Sequence, residues 1–342
     1  EGVHTNQGAM IAVAPNGNVY VAWRQFVHGN QPDAIVVSRS TDFGKTFSKA
    51  TTVATIAPFD QSTSGTSFRV NAYPTIAIDG TNRVYLAWSA RGFAQPRSDP
   101  TTGDARIVMS TSTDGVTWSA PVAADNLQEC GHQIMPALTF AGGKLQLVYY
   151  DLRDDHTYLV YHSPDGQSYG YPGTRVAAGD RVNNPEKVFW QQIKDTAPDG
   201  GPLLRRHTID VRGAQASPGP TPTFTSWPIS QYAFGVTDWD IEQIQFNPPN
   251  LPLYAHGTTP FFGDYIDVAG VSFVPTPSGG WAFNTDATGP QVFHAVWTDN
   301  RDVRPPITGL TWESYTPPTS SFTTVPCCLL YTSPSPRDRT RS

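Results

Sequence analysis

Arginine next to aspartate recurs in this chain at a fixed place. The strings Asp151-Leu152-Arg153-Asp154 and Asp299-Asn300-Arg301-Asp302 share the pattern Asp-x-Arg-Asp. Each closes an apolar run, and Arg24 and Arg91 close comparable runs. A guanidinium is a planar fork that takes a carboxylate in two parallel hydrogen bonds. Four forks on one face would therefore suit an acidic ligand. The aspartates also have a plainer use: each can pair with its own arginine and tie down the end of the run, and such structural ion pairs are common. His132 and Gln133 precede one apolar run, Tyr73 precedes another, and Asp264 with Tyr265 precedes a third.

A repeated four-stranded unit must position these residues. In the second copy the predicted strands cover 73–79, 83–89, 105–110 and 119–124. The first copy gives 9–14, 18–24, 34–39 and 47–54, and the third gives 135–140, 144–151, 157–163 and a strand near 174–178. The first hairpin of each unit turns on Asn16-Gly17-Asn18, Asp79-Gly80-Thr81-Asn82 or Gly142-Gly143, residue types that suit tight turns. Further on, 187–193, 205–212 and 223–230 read as one unit with a diverged first strand, around a Pro- and Gly-rich linker at 213–222. Residues 240–246 open another unit, and 266–274 with 292–298 repeat a first and second strand. The ends of second strands and the entries to first strands then share one face, which brings the arginines, carboxylates, His132, Gln133 and the tyrosines onto one rim.

Composition agrees with an all-β chain. Among 342 residues, 31 prolines and 29 glycines interrupt nearly every window of helical length. Many short strands with frequent turns need their sheet edges hidden, and radial repetition of small sheets does this. The net charge is −6 and no basic stripe runs through the body, which argues against a nucleic-acid partner. No apolar run is long enough to span a membrane. The three cysteines, Cys130, Cys327 and Cys328, fit neither a zinc site nor a disulfide framework, so no metal and no cofactor are expected. His207 alternates within a strand-like stretch and reads as a sheet residue, and Asp238, Asp240 and Glu242 read as a solvated turn rather than a calcium loop. Trp190, Trp227 and Trp239 read as packing.

Three short strings mark the turn between third and fourth strands. They are Ser40-Thr41-Asp42-Phe43-Gly44-Lys45-Thr46-Phe47, Ser112-Thr113-Asp114-Gly115-Val116-Thr117-Trp118 and the weaker Ser163-Pro164-Asp165-Gly166-Gln167-Ser168-Tyr169. The aspartate can accept backbone N–H groups in the turn, the glycine can take a positive φ, and Phe47 or Trp118 can pack the turn onto its sheet. These strings resemble the Asp-box of the sialidase-like (BNR repeat) β-propellers, Ser-x-Asp-x-Gly-x-Thr followed by Trp or Phe. The resemblance implies a sialidase-like β-propeller of five to six four-stranded blades over residues 1–326, with the last blade incomplete. Residues 327–342 depart from the blade pattern and read as a non-native or disordered tail.

By the same resemblance, Arg24, Arg91, Arg153 and Arg301 would grip a substrate carboxylate, with His132 and Gln133 beside them. Asp154, Asp264 or Asp302 would supply the acid and Tyr73 or Tyr265 the nucleophile, tyrosine being a known departure from the usual carboxylate pair. The sequence also departs from that family. It has no Arg-Ile-Pro, and none of its five glutamates pairs obviously with a candidate tyrosine. Two readings stand: a glycosidase-type propeller acting on or binding an acidic glycan, and a non-catalytic propeller that binds a glycan or a protein. A monomer is expected. The absence of a visible signal peptide and the start at Glu1 suggest the mature form or a fragment of a secreted or cell-surface bacterial protein.

Overall fold

The computed structural model describes residues 5–60, 69–95, 97–101, 103–125, 131–153, 209–230, 263, 265–288 and 292–299. It also describes the backbone alone of five short strands between 158 and 204. The regular structure among these residues is all strand, and the sheets are antiparallel.

The first sheet has the order β1 (Asn6–Val13), β2 (Val19–Gln25), β3 (Ala34–Ser40) and β4 (Thr51–Thr55). The second repeats it with β5 (Thr75–Ile78), β6 (Val84–Ala90), β7 (Arg106–Ser112) and β8 (Val122–Ala123). The third opens with β9 (Gln133–Ala141) and β10 (Lys144–Asp151). First strands of successive sheets lie against one another, β1 on β5 and β5 on β9, as blades sit around an axis.

The third sheet corrects the sequence reading. Its third strand is not 157–163. That stretch holds β11 (Tyr158–His162), which pairs with β12 (Ser168–Gly170) and β13 (Val188–Gln191) in a sheet of its own. A hairpin of β14 (Lys194–Thr196) and β15 (Pro202–Leu204) follows. The partner of β10 is β16 (Asp210–Ala216), in register from Leu145↔Ala216 to Asp151↔Asp210, and β17 (Thr225–Pro228) completes the sheet. The unit expected over 187–193, 205–212 and 223–230 is thus divided: β13 belongs with β11, while β16 and β17 form the outer half of the third sheet. The chain leaves that sheet after β10 and returns with Asp210 paired to Asp151. Ser163, Asp165 and Gly166, the third Asp-box candidate, lie outside the described residues.

Farther on, β18 (Ile266–Gly270) pairs with β21 (Phe293–Trp297), the expected first and second strands. Between them stands a hairpin, β19 (Phe273–Pro275) with β20 (Trp281–Phe283), which the sequence reading did not foresee. Residues 300–342 are outside the described part.

Alternation along the strands builds the core between neighbouring sheets. Tyr20, Ala22, Ile35 and Val37 of the first sheet meet Ile76, Leu86, Trp88 and Val108 of the second. Tyr85, Ala87, Ile107 and Met109 on the other side of the second sheet meet Leu138, Leu145, Leu147 and Tyr149 of the third. Each fully buried aliphatic or aromatic side chain contributes roughly 1.5–3 kcal/mol of transfer free energy.

The two described Asp-box candidates turn as their residues dictate. Ser40 Oγ donates to Asp42 Oδ1 at 2.6 Å, and Asp42 Oδ2 accepts the Thr46 hydroxyl at 2.6 Å. Gly44 takes φ 82° and gives its N–H to Ser40 Oγ. In the second box the N–H groups of Val116 and Thr117 both reach Asp114 Oδ1 at 2.7 Å. These hydrogen bonds, from Ser40 first at Asp42 and from the Val116 N–H first at Asp114, hold both carboxylates at a pKa of about 2. Trp118 packs onto the core between the first two sheets, whereas Phe47 is left 46% exposed. Both boxes sit at the end of their sheets opposite the arginines, since Ser40 pairs with Val19 and Ala34 with Gln25.

Candidate functional site

Register puts the entries to first strands beside the ends of second strands. Gln7 pairs with Arg24, Gln133 with Asp151, and Ile266 with Trp297. In these three sheets the two ends therefore lie side by side, and the described residues around the arginines fall into three clusters.

In the first cluster Arg24 is 1% exposed. Its Nε and Nη2 donate to Asp33 Oδ1 at 3.0 and 2.9 Å. Nη1 and Nη2 donate to the two oxygens of Asp60 at 2.8 and 2.6 Å. Asp60 also accepts the Ala72 N–H, so the pair ties the first sheet to the second. Burial pulls the Arg24 pKa down, but Asp60 and Asp33 together raise it above its ordinary value.

Arg153 repeats the arrangement at the third sheet. Its Nε and Nη2 meet Asp151 at 2.9 and 2.7 Å, and Nη2 meets Asp125 at 3.3 Å. Gln133 Nε2 donates to both aspartates, and Tyr149 donates its hydroxyl proton to Asp125 at 2.9 Å. Gln133 also accepts the Ile107 N–H, so this cluster joins the second and third sheets. Burial foremost, with Asp125 and Asp151 adding, pushes the Tyr149 phenol well above its ordinary range.

The middle cluster belongs to the segment from Arg91 to Asp104, which links β6 to β7. The Arg91 guanidinium lies over the Phe59 ring, 5.1 Å from its centroid, and donates to the Thr101 carbonyl. Its Nε is buried without a hydrogen-bond partner, and desolvation lowers its pKa. Arg97 is 45% exposed and stands 3.3 Å from Asp104. Asp104 is itself buried and accepts the Gly131 N–H. His132 stacks on Phe59 at 3.8 Å, with Nδ1 accepting the Ala105 N–H at 3.0 Å and Nε2 3.9 Å from Asp104. Burial, with Arg91, Arg97 and Arg106 nearby and only Asp104 opposing, lowers the His132 pKa to about 3. The imidazole is therefore neutral and serves as an acceptor in the wall of the site.

Tyr73, half-buried at the entry to β5, donates its hydroxyl proton to Gln7 Oε1 of the first sheet at 2.6 Å. Tyr265 is 84% exposed just ahead of β18. Asp154, Asp264, Asp302 and Arg301 lie outside the described residues. Asp33, Asp60, Arg97, Asp104 and Asp125 escaped the sequence reading because they sit on connecting segments with no repeated string around them. One signal was available: Asp60 and Asp125 both stand on links between a fourth strand and the next first strand. Among the described residues no cluster of His, Cys, Asp and Glu could hold a metal ion, and no helix is long and apolar enough to cross a membrane.

No protein-family model and no curated protein matches the chain. Solved structures that the chain matches at low similarity include glycoside hydrolases. A Hadza microbial sialidase shares 14% identity at a TM-score of 0.33, over 66% of this chain and 59% of that one. An α-L-arabinanase of Penicillium chrysogenum complexed with arabinobiose shares 15% at 0.29, over 80% and 86%. A family 117 glycoside hydrolase of the marine bacterium Zobellia galactanivorans shares 14% at 0.29, over 84% and 87%. The chain thus spans little more than half the length of the sialidase. At these scores the function has to be argued from the chain's own residues.

Proposed function

We propose that this chain is a carbohydrate-binding β-propeller, secreted or displayed at a cell surface, that holds an acidic glycan at the Arg91–Asp104 segment of its rim. The observation that carries the reading is the contrast among the arginines. The forks of Arg24 and Arg153 are filled by aspartates, which suits braces between neighbouring sheets. Arg91 meets a carbonyl and an aromatic face instead, and Arg97, 45% exposed on the same segment, has one nitrogen 3.3 Å from Asp104. A sugar carboxylate between these two cations gains charge-assisted hydrogen bonds. Phe93, 36% exposed beside Arg91, offers an apolar face for a sugar ring.

Binding fits this arrangement better than hydrolysis of the sialidase type. A tyrosine nucleophile needs a base to take its proton, and Tyr73 gives its hydrogen bond to the neutral carboxamide of Gln7. The hydrolytic alternative would draw its acid from Asp154, Asp264 or Asp302, its fourth arginine from Arg301 and its nucleophile from Tyr265. A panel of fluorogenic sialosides and uronides, run beside glycan-array binding, separates the two. Binding of acidic glycans without turnover is the expected result; turnover lost on substitution of Asp154, Asp264 or Asp302 would overturn it.

A further inference from the structure

The first strands carry the same irregularity at the same register. Gln7 pairs with Arg24 and Met10 with Ala22, so Gly8 and Ala9 together stand against Trp23. Ile134 pairs with Tyr150 and Ala137 with Val148, so Met135 and Pro136 stand against Tyr149. Gly8 has φ 70° and Met135 has φ 51°. In the second sheet Tyr73 and Pro74 precede Thr75, whose partner Ala87 is followed by Trp88, the third aromatic of the series. A bulge takes a residue out of the ladder and re-aims its side chain, and bulges favour sheet rims beside functional sites. A left-handed methionine costs roughly 1 kcal/mol or more, so its surroundings must impose the conformation.

At this point on the rim Tyr73 is clamped from the neighbouring sheet. A Cβ on Gly8 would lie 2.5 Å from Tyr73 Cγ and Cδ1, so the ring rests on the glycine backbone. The hydroxyl is held by Gln7 at 2.6 Å. Gln7 is exposed and Tyr73 half-buried, so the pair stands at the surface. This is an uncharged set of donors and acceptors in a fixed geometry, which matches sugar hydroxyls rather than a carboxylate.

We infer that Tyr73 and Gln7 form a neutral subsite that positions the hydroxyls of a pyranose ring, separate from the charged subsite at Arg91 and Arg97. The inference rests on the glycan-binding reading above. Tyr73 is here a binding residue, and Gly8 is the platform that orients it.

The test is calorimetric titration of the whole chain with N-acetylneuraminic acid, glucuronic acid and glucose. Tyr73→Phe keeps the ring on Gly8 and should weaken every sugar that binds, acidic or neutral, by about threefold to tenfold. Its melting temperature should match that of the unaltered chain. Gly8→Ala, which displaces the ring, should reproduce that loss. Arg91→Ala should weaken the acids alone. If Tyr73→Phe binds all sugars as before while Arg91→Ala loses the acids, the neutral subsite is refuted and the charged one stands. If the unaltered chain binds none of the three, both readings fall.

Discussion

A guanidinium carries five N–H donors in a planar fork, and in Arg24 the fork is divided between Asp33 and Asp60. Replacing Arg24 by alanine leaves two carboxylates facing each other across a cavity. The loss should be substantial but below the roughly 3–5 kcal/mol of a fully buried pair, because Asp60 is 32% exposed. Chemical denaturation read by tryptophan fluorescence measures it, and an unchanged midpoint would remove Arg24 from its bracing role. His132 gives a second residue-level prediction. Its folded pKa of about 3 lies below the ordinary 6.5, so the unfolded chain binds the extra proton. Its contribution is therefore complete above about pH 6.5 and lost as pH falls toward 3. His132→Asn, which keeps an acceptor for the Ala105 N–H, should flatten the fall of melting temperature across that window. An unaltered slope would mean that another group governs it. The arginines were legible in the sequence because their strings repeat. Their partners were not, because Asp60 is 36 residues from Arg24 and Asp125 is 28 from Arg153, so only the folded rim joins them.

Strand order was legible where each strand follows the last across a short turn, as in the first two sheets. It failed in the third, where proximity along the chain favoured 157–163 over the true partner β16. The sequence of β16, Asp-Val-Arg-Gly-Ala-Gln-Ala, lacks large alternating side chains. Gly213 gives close packing there: a Cβ on it would come within 3.2 Å of the Trp227 ring on the paired strand. Because Asp151 and Asp210 are register partners, the chain between them can be shortened to a turn. Replacing residues 154–208 by a short Gly-Ser linker should leave a cooperative melt and the far-ultraviolet signature of the sheets. Loss of cooperative melting would show that the third sheet needs the intervening chain.

On the scale of the whole molecule, a chain of net charge −6 repels an acidic ligand at long range. Binding must then come from a local concentration of positive charge on the rim, and it must weaken as salt screens that charge. Arg91 and the partly exposed Arg97, on the segment that ends at Asp104, supply it, while Arg24 and Arg153, each shared by two aspartates, do not. The Ser-x-Asp strings at 40–47 and 112–118 marked the first two sheets and their direction, and so told which end carried the arginines. Which arginines were committed to carboxylates could be learned only from contacts between sheets.

The most direct measurement is the affinity of the full chain for glucuronic acid against glucose, with and without Arg91→Ala and Arg97→Ala. Tighter binding of the acid, lost in both variants and weakened by salt, is the predicted result. Equal affinity for acid and neutral sugar, or a preference for the acid that survives both substitutions, would contradict the assignment.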